Sequence, residues 1–350
     1  MKHDIATIER IGQLAAFDEI IDVRSPAEFA EDHIPGSINC PVLDDQQRIE
    51  IGTLYKQVSP FDAKKLGAAY VSESIARHLR ARFLDRPKNW RPLIVCWRGG
   101  QRSGSMTYVL RRVGWDVQQL EGGYKSYRRL VVENLAELPR QFRLKVICGA
   151  TGSAKSRVLQ AIGRLGEQVL DLEELACHKG SVLGVLPDSP QPSQKMFESH
   201  LLTALQALDP QRPLFVEAES RKIGSLQVPA ALIETMRAAE CFNINASFAA
   251  RVDFLLRDYD YFLAAPERLN ACLRPLRNLQ SSETIGRWQD YARDGQWRDL
   301  VSELLALHYD PLYSRSQARN YSGFAAPANF VSDDLTPTGV EALALALCGR

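Results

Sequence analysis

The chain has 350 residues, a length that favours two domains over a single core. Its apolar content of 45% and charged content of 24% are typical of a globular protein, and its net charge of +1 excludes a global basic field for nucleic acid. No segment is apolar enough for a signal peptide or a membrane span, and seven scattered cysteines without a CxxC pair indicate a reduced protein, so we expect a cytoplasmic location and no membrane partner.

Strand and helix signals alternate over the first 130 or so residues. Apolar runs predict strands at 18–24, 37–41, 92–97 and 116–123. Amphipathic stretches predict helices at 72–86 and 103–114. Such alternation is typical of a parallel sheet with crossover helices.

A second α/β series begins at residue 144, with predicted strands at 144–148, 168–172, 213–220 and 241–246. After about residue 248 the pattern becomes mostly helical, and 328–334 predicts a last strand. The sequence therefore predicts an α/β protein with a parallel-sheet domain at 1–132, a linker at 133–143, and a second α/β domain with a helical C-terminal part at 144–350.

The stretch "PLIVCWRGGQRSGSM" places a cysteine, Cys96, where a predicted strand ends and a helix is about to begin. Ligands of parallel sheets bind at the carboxyl ends of strands. Backbone N–H groups of a glycine-rich loop, a helix N-terminus and arginine charges all stabilise an anion. We therefore predict that Cys96 is catalytic and that the loop cradles a charge on its sulfur, the cradle residues being Arg98, Gly99, Gly100, Arg102 and Ser103.

Two chemistries fit this loop. One is transfer of sulfur or selenium carried on Cys96. The other is phosphatase chemistry, because Cys96 and Arg102 also have C-x5-R spacing and a thiolate can attack phosphorus. Phosphatases of that kind usually carry a histidine just before the cysteine, where this chain has Val95.

The stretch "VICGATGSAKSRVL" follows a predicted strand and nearly satisfies the phosphate-loop pattern G-x-x-x-x-G-K-[ST]. Its N–H groups would cradle a diphosphate and its lysine would neutralise it. Ala154 departs from the pattern, which has glycine at that position, and its Cβ is expected to crowd the loop and to weaken ordinary nucleotide binding. The predicted diphosphate-binding residues are Gly149, Gly152, Ser153, Lys155 and Ser156.

Three further side chains are candidates for supporting roles near that loop. Glu217 and Glu219 end an apolar strand, where a carboxylate can hold Mg²⁺ through water or can simply be solvated. His178 lies in a polar loop, and a lone histidine is more often structural than catalytic. The metal assignment therefore stays open, with Mg²⁺ as the candidate.

Arginines interleaved with aromatic residues occupy the helical region. This pattern is common on solvated helix faces, and it also suits a folded RNA with an unstacked base. The positions that would contact RNA are Arg251, Arg257, Arg268, Arg274, Arg277 and Arg287, with Tyr259, Tyr261 and Trp288.

The stretch "IIDVRSPAEFAEDHIPGSIN" resembles the rhodanese-domain signature, and "LEGGYKSY" resembles the glycine turn after the last rhodanese strand. In that family Asp22, Arg24, Glu28 and His33 are expected to brace the turn. Six motifs in this order extend the resemblance to nearly the whole chain: "CWRGGQRS", "GATGSAKS", "DLEELACHKGS", "PQPSQKMFE", "VEAESRKIG" and "HYDPLY". Together they are similar to tRNA 2-selenouridine synthase, a rhodanese domain fused to a P-loop domain.

The resemblance implies a two-step modification of the wobble uridine in the anticodon arm of 2-thiolated tRNA. A geranyl group from geranyl diphosphate first alkylates the thiocarbonyl sulfur, and selenium from selenophosphate then displaces geranylthiol. The phosphate loop would bind the prenyl diphosphate, and Cys96 would receive selenium. Both donors are substrates, so no tightly bound cofactor is expected, and an enzyme that makes selenophosphate would be the donor source.

Two other readings of the residues stay open. One is a rhodanese sulfurtransferase or a cysteine phosphatase fused to a P-loop kinase or ATPase. The other is a tRNA-binding scaffold with inactive sites. The presence of both Cys96 and Lys155 argues against this second reading.

Overall fold

The computed structural model describes residues 5–181, 183–263, 266–273, 276–277, 279–313 and 321–349. The chain divides into two compact units: Met1–Asn134 with Glu198–Thr203, and Leu135–Phe197 with Ala204–Arg350. Most of the predicted linker, residues 133–143, is helical. Its first part is the end of a helix over Gly123–Glu137, and a 3-10 helix over Leu138–Gln141 follows.

The first unit is built on a parallel five-stranded sheet in the order β1-β5-β4-β2-β3. Its strands are β1 Ile5–Ala6, β2 Glu19–Asp22, β3 Ile38–Asn39, β4 Pro92–Val95 and β5 Gln118–Leu120. Its helices are a 3-10 helix at Ile11–Ala16, α1 Pro26–Glu31, α2 Asp45–Gln57, α3 Pro60–His78 continued by a π-turn at Leu79–Phe83, α4 Gln101–Val113 and α5 Gly123–Glu137.

Apolar side chains on both faces of this sheet form its core. Central β4 is buried at all four positions, as a parallel strand covered by helices requires. Ile94 packs with Met106 and Leu110 of α4 and with Val71 and Ile75 of α3.

The second unit has its own parallel sheet in the order β12-β11-β6-β8-β7, and an antiparallel pair, β9 with β10. Its strands are β6 Leu144–Cys148, β7 Gln168–Leu170, β8 Leu214–Glu217, β9 Lys222–Ile223, β10 Leu226–Gln227, β11 Glu240–Asn245 and β12 Ala328–Val331. The two parallel sheets confirm the predicted α/β class.

Helices of the second unit pack on the sheet and form a separate helical layer. They are α6 Lys155–Arg164, α7 Leu172–Ala176, α8 Gln194–Gln206, α9 Ala230–Ala238, α10 Phe248–Asp258, α11 Asp260–Leu263, α12 Pro266–Leu273, α13 Ser282–Arg293, α14 Trp297–Leu304 and α15 Pro337–Leu347. Within α8, residues Glu198–Thr203 belong to the first unit. A π-turn at Leu305–Tyr309 and a 3-10 helix at Ser322–Ala325 complete the described elements. One apolar core lies around α6 and α15, and another joins α12, α13 and α14 around the fully buried Trp288.

Within the described part of the chain, no helix combines the length and the apolar character needed to cross a membrane.

Candidate functional site

Two loops follow the middle strands of the two sheets. The loop after β4 begins at Cys96, and the loop after β6 begins at Gly149. Each loop therefore leaves the carboxyl end of a strand that is paired on both sides, the position where parallel sheets bind ligands.

The sulfur of Cys96 faces into its loop. Its Sγ accepts hydrogen bonds from the N–H of Gly100 at 3.2 Å and from the Ser103 hydroxyl at 2.9 Å. Cys96 is 3% exposed and Ser103 is fully buried, so water reaches the sulfur poorly. Two hydrogen-bond donors therefore converge on this sulfur in a site that is largely closed to water.

Arg102 makes its contacts away from this sulfur. The sequence predicts that its charge faces Cys96, but its guanidinium binds both carboxylate oxygens of Glu28, at 2.6 and 3.2 Å. Burial opposes ionisation of Glu28, yet the hydrogen bond and charge of Arg102 outweigh it and hold the pKa of Glu28 below its usual value. The other predicted arginine, Arg98, is exposed at the rim. The hydrogen bonds at Sγ thus come from neutral groups.

Glycines let the Cys96 loop pack against the turn after β5. Gly99 has φ +63°, and a Cβ there would lie 2.5 Å from the carbonyl oxygen of Leu120. The N–H of Tyr124 donates to the carbonyl of Cys96 at 2.8 Å, across a contact that Gly123 leaves open. Close backbone approach therefore fixes the loop, and side chains larger than hydrogen do not fit.

Two neighbouring glycines provide a matched test of this packing. Gly99→Ala should lower the free energy of unfolding of the first unit by about 1–3 kcal/mol from backbone strain alone, with further loss from the clash. Gly100→Ala should change it by no more than about 1 kcal/mol, because φ is negative and a Cβ there meets open space. Thermal and denaturant unfolding measure both, and equal effects would contradict the packing argument.

The second loop, Gly149–Ser156, joins β6 to α6 and presents the N-terminus of that helix. Gly149 and Gly152 have φ of +151° and +84°, which side chains rarely adopt. Ala154 also takes a left-handed conformation, with φ +61°, at a strain of about 1–2 kcal/mol. Its Cβ is buried in the apolar core beside α6, so it packs beneath the loop.

The C-terminal helical region clamps this loop through two contacts that the sequence did not predict. The N–H of Gly149 donates to the Tyr313 hydroxyl at 2.7 Å. Arg251 donates to the carbonyl of Thr151 at 3.1 Å and pairs with both oxygens of Asp310 at 2.7 and 2.8 Å. Asp310 and Tyr313 belong to the motif "HYDPLY", which is the signal that could have found them.

Two predicted residues are buried and have unpaired polar atoms. Ser153 is 1% exposed, and its hydroxyl has no partner among the described residues. His178 is 5% exposed; its Nδ1 likewise has no partner there, and burial lowers the pKa of its imidazole. The ring of His178 is therefore neutral at pH 7.

A cluster of three carboxylates lies beside the phosphate loop. Glu173, Glu217 and Glu219 each offer an oxygen, and these oxygens lie within 4.8 Å of one another. The Ser156 hydroxyl is 2.7 Å from Glu217 and 3.0 Å from Glu173, and Lys155 Nζ is 3.6 Å from Glu217. The sequence predicted two of these carboxylates but missed Glu173, whose position just after β7 places it at the same sheet edge.

Burial and mutual repulsion make this cluster reluctant to ionise. Burial, followed by the charges of Glu217 and Glu219, raises the pKa of Glu173 to about 9. Burial and the charge of Glu217 raise the pKa of Glu219 to about 8. One lysine offsets too little charge for three carboxylates, so the cluster holds protons or another cation at neutral pH.

The donor set fits a hard divalent cation. Carboxylate and hydroxyl oxygens are the ligands that Mg²⁺ prefers. Glu173, Glu217, Glu219 and Ser156 are the residues that would hold it.

Removing one carboxylate should abolish stabilisation by Mg²⁺. At about a hundred times its dissociation constant, a bound cation adds about 2.7 kcal/mol to the free energy of unfolding, so Mg²⁺ should raise the melting temperature of the wild type. Glu217→Gln should lose this increase, whereas Glu174→Gln, at an exposed position beside Glu173, should keep it. An equal Mg²⁺ response in both variants would count against the site.

A cavity of about 650 Å³ joins these elements within the second unit. Its wall includes the phosphate loop, the three carboxylates, His178 and His308. Lys179 also lines it, but its ammonium is held by Asp258 at 2.6 Å and lies over the Tyr259 ring. The size suits a small diphosphate with an organic substituent.

Three of the arginines predicted to face RNA, Arg251, Arg257 and Arg287, make contacts within the protein, whereas Arg268 and Arg277 are exposed. Arg251 is 6% exposed and braces the phosphate loop, and Arg287 pairs with Glu303 at 2.9 Å. Trp288 is fully buried, and its ring N–H also donates to Glu303. Predicting Trp288 as a surface for an unstacked base was therefore wrong, since apolar burial places it in the helical core. Arg274 lies outside the described residues.

Comparison with known proteins agrees with both halves of the fold. Residues 7–130 match the rhodanese-like domain family, and residues 142–269 match the family described as the tRNA 2-selenouridine synthase AAA domain. Relatives named tRNA 2-selenouridine synthase include that of Nitrosomonas europaea, 35% identical over 294 residues (82% of this chain, 75% of the relative), and that of Alcanivorax borkumensis, 32% identical over 329 residues (86% and 90%). That of Shewanella denitrificans is 31% identical over 323 residues (84% and 87%).

The folds and loops thus define a protein class in which a rhodanese-like domain carries a cysteine loop and a P-loop domain follows it. Within that class, the chain belongs to the tRNA 2-selenouridine synthase family, as the sequence resemblance predicted.

Proposed function

We propose that this protein converts 2-thiouridine at the wobble position of tRNA into 2-selenouridine, using geranyl diphosphate and then selenophosphate. The observation that carries the proposal is the pairing, in one chain, of a dry thiol loop at Cys96 with a phosphate loop at Gly149–Ser156. The tRNA is recognised through its anticodon arm, and both small molecules are substrates rather than resident cofactors.

The first step is alkylation of sulfur. The thiocarbonyl sulfur attacks C1 of geranyl diphosphate, the C–O bond breaks, pyrophosphate leaves, and the base loses its N3 proton. Lys155, the loop N–H groups and the N-terminus of α6 stabilise the charge that develops on pyrophosphate. The strain at Ala154 is compatible with this role, because a diphosphate without a nucleoside needs only the cradle.

A Mg²⁺ ion bound by the carboxylates and Ser156 would supply further neutralisation of the leaving pyrophosphate. Side chains of the protein also contribute to holding the diphosphate. Lys155 provides a positive charge, and Tyr313 and Arg251 keep the phosphate loop in place. His178 lines the same cavity. Because its imidazole is neutral, it adds no positive charge that would compete with a cation for the carboxylates.

The second step replaces sulfur by selenium. An S-alkyl group makes C2 electrophilic and turns sulfur into a thiol that can depart. The selenium of selenophosphate, held in the Cys96 loop, adds to C2, and geranylthiol leaves. Transfer of the phosphoryl group from selenium to water then gives the selenocarbonyl and phosphate. An enzyme that makes selenophosphate supplies the donor.

No specific contact favours the phosphatase alternative. A C-x5-R phosphatase uses its arginine on the phosphoryl oxygens, whereas Arg102 is engaged by Glu28. Its guanidinium would have to leave a two-bond ion pair to reach a phosphoryl group.

Mass spectrometry of nucleosides tests the proposal directly. Thiolated tRNA is incubated with the full chain and geranyl diphosphate, and selenophosphate is added afterwards. The first stage should yield S-geranylthiouridine, and the second should convert it to selenouridine. Thiouridine that persists unchanged through both stages would refute the assignment.

Cys96→Ser should abolish selenation but leave geranylation largely intact, because Cys96 belongs to the loop that holds selenophosphate and only the second step uses that loop. The nucleoside assay measures both steps, and Cys348→Ser, which alters a half-buried thiol elsewhere, serves as the control. Normal selenouridine formation by Cys96→Ser would overturn the role of this residue.

Lys155→Ala should slow geranylation at subsaturating geranyl diphosphate by at least about tenfold, since a charge-assisted contact contributes about 1.5–3 kcal/mol. Selenation of tRNA that already carries the S-geranyl group should be unaffected. Lys222→Ala removes an exposed lysine outside the cavity of the same unit and should behave as wild type. Unchanged geranylation in Lys155→Ala would show that the diphosphate binds elsewhere.

A further inference from the structure

A second, apolar cavity opens beside the phosphate loop. It measures about 60 Å³ and lies inside the helical layer of the second unit. Its lining includes Thr151 of the phosphate loop and the apolar side chains Leu183, Phe262, Leu269, Trp297, Leu300 and Leu304. We call this cavity the apolar slot.

The slot and the phosphate cavity are continuous. Five residues line both: Thr151, Ser181, Leu255, Tyr259 and Tyr309. The part of the slot that is not shared is formed mainly by α14, which contributes Trp297, Leu300, Val301 and Leu304. A ligand with an anionic head on the phosphate loop and an apolar tail can therefore occupy both spaces at once.

A packing defect does not readily explain the slot. Protein cores leave few voids larger than a water molecule, and a water needs at least about 10–15 Å³ on this measure. At about 60 Å³ the slot holds roughly four to six atoms of that size, but its walls offer water few hydrogen-bond partners. An alkyl group of about five carbons, one isoprene unit, suits both its size and its chemistry.

We infer that the apolar slot binds the terminal isoprene unit of the prenyl diphosphate and thereby sets its chain length. This inference rests on the proposed function, because that function supplies a diphosphate with an apolar tail. The diphosphate and the first isoprene unit occupy the larger cavity, and the second enters the slot. A five-carbon donor ends before the slot, and a fifteen-carbon donor meets the wall formed by Trp297, Leu300 and Leu304.

Two substitutions on α14 should change the slot in opposite directions. Val301 is half-buried and lines it, so Val301→Phe fills the space. Trp297 is also half-buried at the wall, so Trp297→Ala lengthens the space. Asp299→Phe adds the same ring to the same helix at an exposed position outside the slot and is the matched control.

The experiment measures affinities of the full chain for pyrophosphate and for dimethylallyl, geranyl and farnesyl diphosphates. Wild type and Asp299→Phe should bind geranyl diphosphate at least about tenfold more tightly than pyrophosphate or the dimethylallyl donor. Val301→Phe should lose most of that preference while binding pyrophosphate within about twofold of wild type, which also shows that the loop is folded. Trp297→Ala should raise the affinity for farnesyl relative to geranyl diphosphate by roughly tenfold.

Failure of the slot and failure of the function give different results. If wild type prefers geranyl diphosphate and both Val301→Phe and Trp297→Ala keep the wild-type preferences, the tail binds elsewhere and the slot assignment is wrong. If wild type binds geranyl diphosphate no better than pyrophosphate, both the slot assignment and the prenyl donor are wrong. Should Val301→Phe fail to fold, the farnesyl to geranyl ratio of Trp297→Ala decides alone.

Discussion

The ion pair between buried Arg251 and half-buried Asp310 is the interaction on which the phosphate-loop side of the second unit depends. Arg251 is nearly inaccessible, and its guanidinium has one partner in the carboxylate and another in the carbonyl of Thr151. Leaving a buried arginine without a carboxylate partner is costly. The contacts of Arg251 therefore fix α10 relative to the phosphate loop and to the segment after α14. Tyr313 adds a second tie, on the N–H of Gly149. These ties hold a loop that contains a strained alanine and so fix the backbone of the loop in one conformation.

The same region gathers carboxylates whose negative charge must be offset by protons or by a cation. Three carboxylates surround Ser156 and Lys155, and burial shifts their pKa values upward. A diphosphate alone would be repelled by ionised carboxylates, and a cation held by Glu173, Glu217 and Glu219 would supply the charge that offsets this repulsion. The two loops therefore handle charge differently. The Cys96 loop provides neutral donors, since Glu28 engages Arg102, whereas the phosphate loop balances full charges against one another.

Much of this arrangement could be predicted from local sequence. Apolar runs bounded by glycine identified the middle strands β4 and β6, and the loops after them follow known spacing rules. Helix α2 escaped prediction because it has no buried residues and thus no apolar stripe. Three other residues were misjudged because their partners lie on other elements. The sequence did not show that Arg102 binds Glu28 or that Trp288 binds Glu303. It also missed Glu173, which contacts Ser156. The local sequence around a charged or aromatic side chain does not indicate whether that side chain faces solvent or another part of the protein.

An apolar tail bound next to buried carboxylates would affect how water reaches the reacting carbon in the proposed prenyl transfer. An apolar group that fills the slot excludes water from one side of the reacting carbon, and the carboxylates and Lys155 lie on the diphosphate side. Water is the competing nucleophile for an allylic diphosphate, so its exclusion favours attack by the sulfur of the base. In the proposed reaction, the apolar lining of α14 and the polar lining of the phosphate loop would serve one requirement: they would hold the donor by its two ends while its reactive carbon stays dry. In this arrangement C1, the carbon that sulfur attacks in the proposed reaction, lies in the larger cavity beside the phosphate loop, where the base must reach it.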